Sequence, residues 1–329
     1  MTAPDVDVDV GECGSTLALD DEATLPPVAA VTVVLATRDR SDMAWAAASS
    51  ILGGEVLPAE LLIVDQSAGA DARLAALGGR SPGVVRYEWT ATRGLSTANN
   101  LGVALAAHDH VLFTHDDVRV DPGWVGTLAT ALRADDGRVV TGRIVAGPEE
   151  IRAGFAPTLQ TSLAATSYVG RVGIDVLKPL NMGMSRRVLD DVGGFDERLG
   201  PGTRFPGAED ADLGLRLLER GYHIDLVPDA VVVHRAWRAG RDYLPLRWRY
   251  GFAHGAFYAK HLSWRDPHIV GRFARDVVRR ARRFVPRLAR EGTRALGDPL
   301  FVLANVAGAL RWTIDDRRPG HPSRRGGPR

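Results

Sequence analysis

Cysteine and long apolar runs are both scarce in this sequence, and each scarcity excludes a class of protein. Cys13 is the single cysteine among 329 residues, so the chain cannot form an internal disulfide and suits a reducing compartment. The longest apolar run near the C-terminus, Pro299 to Leu310, is shorter than the roughly 20 residues that a membrane-spanning helix needs. The first residues include no basic segment followed by an apolar core, so we expect no secretory signal and a cytoplasmic protein.

Net charge is also small, but its sign is unevenly distributed. The formal net charge is +1, with 45% hydrophobic and 25% charged residues, which is typical of a globular protein with a real core. Residues 1–22 are rich in Asp and Glu, whereas residues 241–329 are crowded with Arg. We therefore predict a disordered acidic tail over 1–28, a folded domain over 29–240, and a basic helical extension with a disordered end over 241–329.

Strand and helix patterns alternate from Val31 onward. A buried strand, "VTVVLA", is followed by a helical pattern over Ser41–Leu52 and by a second strand, "ELLIVD", that ends on Asp65. A third strand, "VVRYEW", a helix that Ser96 or Thr97 could cap, and a fourth strand, "HVLFT", continue the pattern. Such alternation is typical of an α/β protein with a mainly parallel sheet, which binds ligands at the carboxyl ends of its strands.

The stretch "VLFTHDDVRVDPGW" places two adjacent carboxylates, Asp116 and Asp117, directly after the fourth strand. Asp121 and Pro122 suit the start of a helix, so we expect the acidic pair to lie in a short strand-to-helix loop. Adjacent carboxylates repel each other unless a positive partner is nearby. A divalent cation, Mg²⁺ or Mn²⁺, bound with substrate phosphates would supply that partner, whereas a solvated turn is the simpler alternative.

Six segments in this order resemble family 2 of the inverting glycosyltransferases. They are "VTVVLATRDR", "LLIVDQS", "RGLSTANNLGVALA", "VLFTHDDVRVDPGW", "NMGMSRRVLDDVGGFDERLG" and "GAEDADLGLRLLERGYHIDLVPDAVVVH", within residues 29–238. The resemblance implies the GT-A fold, a Rossmann-like nucleotide-diphospho-sugar transferase fold with a mixed, mainly parallel sheet flanked by helices. It also implies a nucleotide-diphospho-sugar donor, a divalent metal and single-displacement transfer with inversion. The acceptor would bear a hydroxyl group, as a cell-envelope or lipid-linked glycan or a secondary metabolite does.

The resemblance also implies which side chains bind the donor. Asp65 corresponds to the aspartate that contacts the base, and Arg93 to a basic donor-binding position. The other corresponding donor-side residues are Thr37, Arg38, Arg40, Asn99, Asn100, His115 and Asp116. The residue types alone leave simpler alternatives open, since Asp65 could form a strand-end turn, the asparagines could be solvated on a helix surface and the first-loop residues could be solvated.

The acidic motif departs from the family's usual Asp-x-Asp pattern, because His115 stands where the first aspartate is expected. The resemblance assigns the metal to Asp117, the last position of the motif. It offers His234, at the end of a later strand, as a second metal or diphosphate ligand. His115 could contact the ribose, the sugar or the metal. A histidine at a strand end more often has a structural role, and this alternative applies to both histidines.

The segment "GAED" supplies the candidate catalytic carboxylates. The resemblance assigns Asp210 as the general base that takes the proton of the acceptor hydroxyl, with Glu209 in support. Both acids begin a helical pattern, so the helix N-terminus is expected to keep Asp210 ionised, and simple first-turn stabilisation is the alternative. Asp196, in the Gly-rich loop before them, and Trp237 are acceptor-side candidates that could equally serve turn formation and packing.

The C-terminal part contains a basic amphipathic segment. The spacing predicts an apolar stripe on one helix face, and Pro286 is expected to kink or end the helix. The members of the stripe are Val270, Phe273, Val277, Ala281, Phe284 and Leu288. Arginines fill much of the remaining surface. A solvated face is the default interpretation, and an anionic membrane surface at the inner face of the membrane is the alternative. Nucleic acid is not expected as a partner, because no nucleic-acid motif accompanies the arginines.

Two rival functions remain at this level. A sugar-1-phosphate nucleotidyltransferase shares the α/β architecture and a carboxylate-bound metal, but it usually has a Gly-rich loop after the first strand, and "LATRDRSD" contains no glycine. A catalytically silent, membrane-associated or carbohydrate-binding relative is conceivable because of His115. The presence of Asp117, Glu209 and Asp210 argues against that second rival.

Overall fold

The computed structural model describes residues 26–80, 83–148, 150–263 and 266–317. Residues 1–25 and 318–329, where the disordered tails are expected, lie outside the described residues. The strands are β1 (Val28–Thr37), β2 (Leu57–Asp65), β3 (Val85–Trp89), β4 (His110–His115), β5 (Val118–Val120), β6 (Val139–Ala146), β7 (Thr166–Tyr168), β8 (Met182–Ser185) and β9 (Ile224–His234). The α-helices are α1 (Ser41–Leu52), α2 (Ala72–Arg80), α3 (Leu95–Leu105), α4 (Trp124–Arg133), α5 (Arg186–Val192), α6 (Glu209–Glu219), α7 (Tyr243–His261), α8 (Pro267–Glu291) and α9 (Gly297–Asp316).

A mixed sheet forms the centre of the fold. Its strands run in the order β3-β2-β1-β4-β8-β6-β9-β5, and β7 pairs with β9 outside this path. The strands β3, β2, β1 and β4 are parallel, β8 is antiparallel to β4 and β6, and β6 and β9 are again parallel. The prediction of an α/β protein with a mixed sheet and a C-terminal helical region is confirmed.

The register of the parallel strands brings three strand ends to one edge of the sheet. Thr37 at the end of β1 pairs with Asp65 at the end of β2. On the other side of β1, Ala36 pairs with His115 at the end of β4. Because carboxyl ends of parallel strands meet at the same edge, the loops after β1, β2 and β4 meet there, at the place where open α/β sheets bind ligands.

Both faces of the sheet are covered by helices, and the apolar runs of the strands explain why. Along β1, Val33 and Leu35 belong to one core, while Val34 and Ala36 belong to the other, as alternate residues of a strand must;. Helices α1, α2 and α4 contribute to the first core, and α3, α5 and α6 to the second. The fully buried strands therefore fix the positions of the loops at the site edge.

After α6 the chain forms one continuous strand, β9. One local prediction differs from the structure. The acidic turn does not lead straight into a helix, because β5 intervenes and pairs with β9. Helix α4 begins at Trp124 with Gly123 as its N-cap, and Asp121 instead accepts a hydrogen bond from the Gly123 amide at 3.1 Å. Pairing of β5 with β9 is what brings the end of β9 beside the acidic turn.

The helices after β9 pack back on the domain. Phe257 of α7 shares a third core with Phe205, in the loop before α6. Helices α7 and α9 also approach each other closely, since a Cβ on Gly255 would lie 2.0 Å from the carbonyl oxygen of Asn305. Only glycine fits such a contact. Helix α7 thus packs directly on the α/β domain, and α9 packs on α7.

Helix α8 continues through Pro286, so of the two expected outcomes the helix end is wrong, and the kink stays a prediction. The N-terminus of α8 is regular, with Asp266 as its N-cap accepting from the amide of His268 at 3.0 Å and Pro267 in the first turn;. No helix in the part of the chain that the structure describes is long and apolar enough to cross a membrane.

Candidate functional site

The acidic turn after β4 is held by a cation from the protein itself. Arg40 Nη1 donates to Oδ1 of Asp116 at 3.0 Å and to Oδ2 of Asp117 at 3.1 Å. Thr37 Oγ1 donates to Oδ2 of Asp116 at 2.9 Å. Thr37 and Arg40 follow β1, the neighbour of β4 in the sheet, so the strand order brings them to the turn. The positive partner that two adjacent carboxylates require is therefore present within the fold.

Burial and charge move the pKa values of the two carboxyls apart. Burial raises the pKa of Asp116 to about 6, against the opposing effect of Arg40. Burial acts in the same direction on Asp117, but the imidazole of His234, together with His115 and Arg40, outweighs it and holds the pKa of Asp117 well below its usual range. Burial likewise opposes the charge of Arg40, yet the two carboxylates raise the pKa of its guanidinium. Asp117 is thus the firmly ionised member of the pair.

His234, at the end of β9, faces the second oxygen of Asp117. Its Nε2 lies 3.6 Å from Asp117 Oδ1, and this oxygen is buried without a hydrogen-bond partner among the described residues. The other ring nitrogen, Nδ1, lies 3.0 Å from the carbonyl oxygen of Pro157. Because a carbonyl oxygen only accepts, Nδ1 carries a proton, and Nε2 is the ring nitrogen directed at Asp117.

Asp117 and His234 fit the divalent cation that the resemblance implies. An unpartnered carboxylate oxygen beside an imidazole nitrogen is a pair of atoms that can bind a cation, and Mg²⁺ is usually bound through one or two carboxylates plus substrate phosphates. No group of three or more His, Cys, Asp or Glu side chains in the described ranges is arranged to hold a metal ion. The remaining ligands would therefore have to come from a bound diphosphate and water.

His115, in the first position of the motif, is a neutral residue. Burial lowers the pKa of its imidazole to about 4. Its Nε2 is a buried atom without a hydrogen-bond partner within the described part of the chain. A neutral imidazole with an unused nitrogen can hydrogen-bond a hydroxyl group or ligate a metal.

Asp65 ends β2 in a fully buried position and is held by other side chains. Its Oδ1 accepts from the Ser67 amide at 2.8 Å, and its Oδ2 accepts from the Tyr87 hydroxyl at 2.7 Å. Burial, followed by the hydrogen bond to Asp65, raises the pKa of Tyr87 to about 12. Trp89 Nε1 donates to the Ser67 carbonyl at 3.1 Å. Sequence reasoning missed Tyr87 and Trp89; their place at the end of the strand after Asp65 was the available signal.

The other donor-side candidates occupy a loop and a helix. Arg38 is partly exposed and Arg93 is exposed, both beside the site edge. Asn99 is buried, and its Nδ2 has no hydrogen-bond partner among the residues described. Asn100 instead clamps the loop after α5, because its Nδ2 donates to the Phe195 carbonyl at 3.0 Å and its Oδ1 accepts from the Phe195 amide at 2.9 Å. Asn99 therefore keeps a donor available, whereas Asn100 has a structural contact.

Glu209 and Asp210 begin α6 after a strained residue. Ala208 has φ 65°, a left-handed conformation that costs a non-glycine residue roughly 1 kcal/mol. Glu209 is only 5% exposed, and its Oε2 is buried without a hydrogen-bond partner in the described ranges. Burial, followed by repulsion from Asp210, raises the pKa of Glu209 to about 8. Glu209 is therefore protonated at neutral pH.

Asp210 does not follow the expectation from its helix N-terminus. Burial raises its pKa, while Lys178 and His254 act to lower it. The cations around Asp210, more than the helix end, therefore oppose the cost of burying its charge. A carboxylate with a raised pKa is also a stronger proton acceptor once ionised.

Helix α7 contributes residues near Glu209 and Asp210 that the sequence analysis did not identify. A Cβ on Gly207 would lie 3.8 Å from Cδ1 of Tyr250, so this ring lies against the residues that precede Glu209. One turn later, His254 Nε2 lies 3.1 Å from Oδ2 of Asp175. Burial opposes its protonation, but Asp175 raises the pKa of His254. The spacing of two polar aromatic residues, four apart on one helix, was the only signal available.

The acceptor-side candidates are engaged with groups of the protein. Asp196 Oδ2 lies 2.8 Å from Arg198 Nη2 and 2.7 Å from Lys260 Nζ. Burial opposes its ionisation, but Arg198 and Lys260 lower the pKa of Asp196 to about 2. Trp237 Nε1 donates to the carbonyl of Gly147 at 3.2 Å. In this structure Asp196 therefore ties its loop to α7, and Trp237 is bound at the end of β6.

Comparison with known families identifies the first half of this arrangement. Residues 32–193 match the family model described as Glycosyl transferase family 2. This segment belongs to glycosyl transferase family 2. The family 2 segment includes the edge residues from Thr37 to Asp117 and ends before Glu209, Asp210 and His234.

Relatives of the family 2 segment agree with the match. The pre-mycofactocin glycosyltransferase of Mycobacterium tuberculosis is 24% identical over 184 residues, which cover 54% of this chain and 38% of that protein. The chain thus spans about two fifths of the length of this curated relative. The same similarity is found in two strains of that organism.

Solved glycosyltransferase structures share the fold. GalNAc-T7 with UDP, GalNAc and Mn²⁺ superposes with a TM-score of 0.51 at 16% identity, covering 75% of this chain and 53% of that one. TarS residues 1–349 of S. aureus gives a TM-score of 0.50 at 15% identity, covering 88% and 85%. At these identities the likeness is one of fold, and that fold is the predicted GT-A fold.

Proposed function

We propose that this protein is a metal-dependent, inverting glycosyltransferase that moves a sugar from a nucleotide-diphosphate donor to a hydroxyl acceptor. One observation carries the proposal: at the ligand edge of a family 2 segment, an unpartnered oxygen of Asp117 faces a ring nitrogen of His234 at 3.6 Å. That arrangement suits a cation that in turn binds a diphosphate. The buried Glu209 and the half-buried Asp210 would supply the second half of the chemistry.

On the donor side, Asp117 and His234 would hold Mg²⁺ or Mn²⁺. The bound cation would offset the negative charge that the leaving diphosphate gains as the sugar bond breaks. Arg40, whose side chain is 44% exposed, is able to turn from the acidic pair toward the diphosphate. Thr37 keeps Asp116 in place during that exchange, since its hydroxyl bonds the other side of the carboxylate.

The nucleoside part of the donor would lie along the ends of β1, β2 and β3. Asp65, Arg38 and Arg93 are at this edge, and Asn99 retains an unused buried donor on α3. The neutral imidazole of His115 would accept or donate a hydrogen bond to a sugar or ribose hydroxyl. The GalNAc-T7 structure contains UDP and Mn²⁺, which supports a nucleotide donor and a divalent cation for this chain.

On the acceptor side, Asp210 would act as the general base. It would take the proton of the acceptor hydroxyl as that oxygen attacks the anomeric carbon from the face opposite the diphosphate, which inverts the configuration. Lys178 and His254 favour the ionised form of Asp210 that this step needs. Glu209, protonated at neutral pH, would donate a hydrogen bond from its carboxyl group. Asp196, in the loop after α5, and Trp237, in the segment after β9, remain acceptor-side candidates.

Calorimetry tests the donor half directly. UDP, GDP and dTDP would be titrated into the protein with Mn²⁺, with Mg²⁺ and with chelator. We expect one nucleotide to bind in a metal-dependent manner and Asp117→Asn to abolish that dependence. Asp121→Asn, an exposed aspartate of the same segment, is the matched control and should bind as the wild type does. Binding that ignores both the metal and Asp117 would reject a metal-dependent transferase and favour the silent relative.

A further inference from the structure

Helix α8 differs from a surface helix of an ordinary soluble domain, although its Ile269 and Phe273 do pack in the third core. Such a helix normally turns apolar residues inward and charges outward. On α8 the inward side includes charged residues, since Arg272 is 5% exposed and Asp276 is 8% exposed. The outward side carries apolar residues instead. The helix therefore presents to its surroundings a face that a soluble domain would bury.

The buried charges of α8 are all used within the protein. Arg272 pairs with Asp175. Arg280 Nε lies 3.0 Å from Asp276 Oδ2, and Arg287 Nη1 lies 2.7 Å from Asp298 at the start of α9. These pairs explain why part of the basic pattern faces inward. They also leave the remaining arginines of the helix for the outer face.

The outer face of α8 is apolar along its length. Val278 is 47% exposed and Val285 is 70% exposed. Val270 and Leu288, from the stripe that the sequence predicts to be one face, are 47% and 44% exposed. At about 100° per residue these four positions share one side of the helix, opposite Arg272 and Asp276. The side chains are unpartnered apolar surface, which marks an interaction site more often than chance exposure does.

Arginines border this apolar face. An open groove of about 440 Å³ is lined by Ala274, Arg275, Val278, Arg279, Arg282 and Arg283. Helix α8 contains only two acidic residues, of which Asp276 is buried and Glu291 pairs with Arg287. The outer face therefore combines valines with guanidinium groups, of which Arg279 pairs with the buried Asp276, and no other carboxylate of α8 faces them.

The neighbouring helix α9 adds a second exposed apolar stripe. Leu303, Val306, Leu310 and Ile314 are 63%, 50%, 63% and 53% exposed. They recur every three or four residues and so lie on one side of the helix. The opposite side of α9 packs on α7, where a Cβ on Gly308 would lie 1.9 Å from the carbonyl oxygen of Phe252. Two adjacent helices thus leave apolar sides uncovered.

We propose that α8 and α9 form a docking surface for the headgroup region of an anionic phospholipid bilayer. The valines and leucines would enter the boundary between headgroups and acyl chains, and the arginines of α8 would bind lipid phosphates. The acyl chains of such a bilayer match the apolar side chains of the face, and its phosphates match the arginines. The proposal does not depend on the transferase reaction.

Two other occupants fit the face less well. A nucleic acid would match the arginines but would leave the exposed valines and leucines against phosphates and water. A second copy of the chain, related by a two-fold axis through α8, would place the arginine rows of the two copies against each other. No carboxylate of the outer face would separate them, so like charges would repel.

Vesicle sedimentation tests the proposal on the full chain at physiological ionic strength. We expect binding to vesicles of phosphatidylcholine mixed with phosphatidylglycerol, and none to phosphatidylcholine alone. Each arginine near an anionic surface contributes about 1 kcal/mol, which is about fivefold in partitioning. The double variant Arg275→Gln/Arg282→Gln should therefore bind about 25-fold more weakly. The control Arg119→Gln/Arg152→Gln removes two exposed arginines of the α/β domain and should bind like the wild type.

A second pair of variants tests the apolar contact. Val278→Asp and Val285→Asp change exposed side chains, so they should fold normally by circular dichroism and lose vesicle binding. Equal binding to neutral vesicles, no binding to anionic vesicles, or an equal loss in the control pair would overturn the proposal. A dimer seen by sedimentation velocity that Val278→Asp dissociates, without any vesicle binding by the wild type, would assign the face to a second copy instead.

Discussion

Oδ1 of Asp117 and Nε2 of His234 lie 3.6 Å apart, and this carboxylate oxygen is buried without a hydrogen-bond partner among the described residues. The pairing of β5 with β9 creates this contact, because Val118 and His234 are register partners. The Pro157 carbonyl fixes the ring by accepting from Nδ1 at 3.0 Å. A proton or a metal ion satisfies both atoms, and the proposed function requires the metal ion.

His234→Ala should weaken metal-dependent nucleotide binding. Removing even an outer partner of a metal site typically costs about 10- to 100-fold in affinity, so we expect at least that loss for a direct ligand. Calorimetry with Mn²⁺ and the preferred nucleotide provides the measurement. His223→Ala, an exposed histidine one residue before β9, serves as the control. Unchanged affinity in His234→Ala would show that the imidazole is only structural.

Arg40→Met should destabilise the protein when no metal is present. The change leaves Asp116 and Asp117 adjacent without their cation, but the Arg40 side chain is 44% exposed, so we expect a loss of about 1 kcal/mol in the free energy of unfolding rather than the cost of a fully buried pair. Urea unfolding with chelator measures it, and added Mn²⁺ should restore part of the loss. Arg38→Met is the control. Equal stability of Arg40→Met and wild type would mean that the bridge contributes nothing.

Glu209→Gln should change how stability depends on pH. The folded chain keeps this carboxyl protonated to about pH 8, whereas its ordinary pKa is 4.5. Between these values unfolding releases the proton, so the contribution of Glu209 makes the free energy of unfolding fall as pH rises through this window. The variant lacks that contribution and should gain stability relative to the wild type from pH 5 to about pH 9. Urea unfolding at several pH values tests this, with the exposed Glu55→Gln as control; parallel curves for Glu209→Gln and wild type would contradict it.

Gly255→Ala should disrupt the contact of α7 with α9. The added methyl would lie 2.0 Å from the Asn305 carbonyl oxygen, and overpacking of this kind typically costs about 1–3 kcal/mol. Gly271→Ala on α8 is the matched control, because a Cβ there meets nothing within 4 Å and should stabilise the helix by about 1 kcal/mol. Thermal unfolding of both variants gives the comparison. A change of the melting temperature in the same direction for both variants would argue against close backbone packing of α7 on α9.

Sequence patterns predicted the sheet well where each element is defined by its own residues. The helix over Ser41–Leu52 and the strand end at Asp65 have the expected bounds, because apolar periodicity and strand-end residues are local signals. The alternation of strands and helices likewise predicted that the loops after β1, β2 and β4 meet at one edge. Candidate donor residues could therefore be named before their contacts were known.

What the sequence could not predict depends on contacts between distant segments. The partner of Asp116 and Asp117 is Arg40, which stands 76 residues earlier in the chain, and strand order rather than spacing brings them together. The inward arginines of α8 are a second case. A periodic pattern shows that a helix has two faces, but the acids of other segments, such as Asp175 and Asp298, decide which face turns inward.

The double attachment of α7 has a mechanical consequence. One side of this helix lies against Gly207, just before the catalytic candidates, and another side interlocks with α9 through Gly255. Within the described residues, α7 therefore joins the segment before Glu209 to α9 by direct packing on both sides. Whatever surface α8 and α9 rest on, Asp210 would be carried at a fixed height above it. The protein would then reach only acceptor hydroxyls at that height. The distance between a hydroxyl and the surface would thus decide whether it can serve as the acceptor.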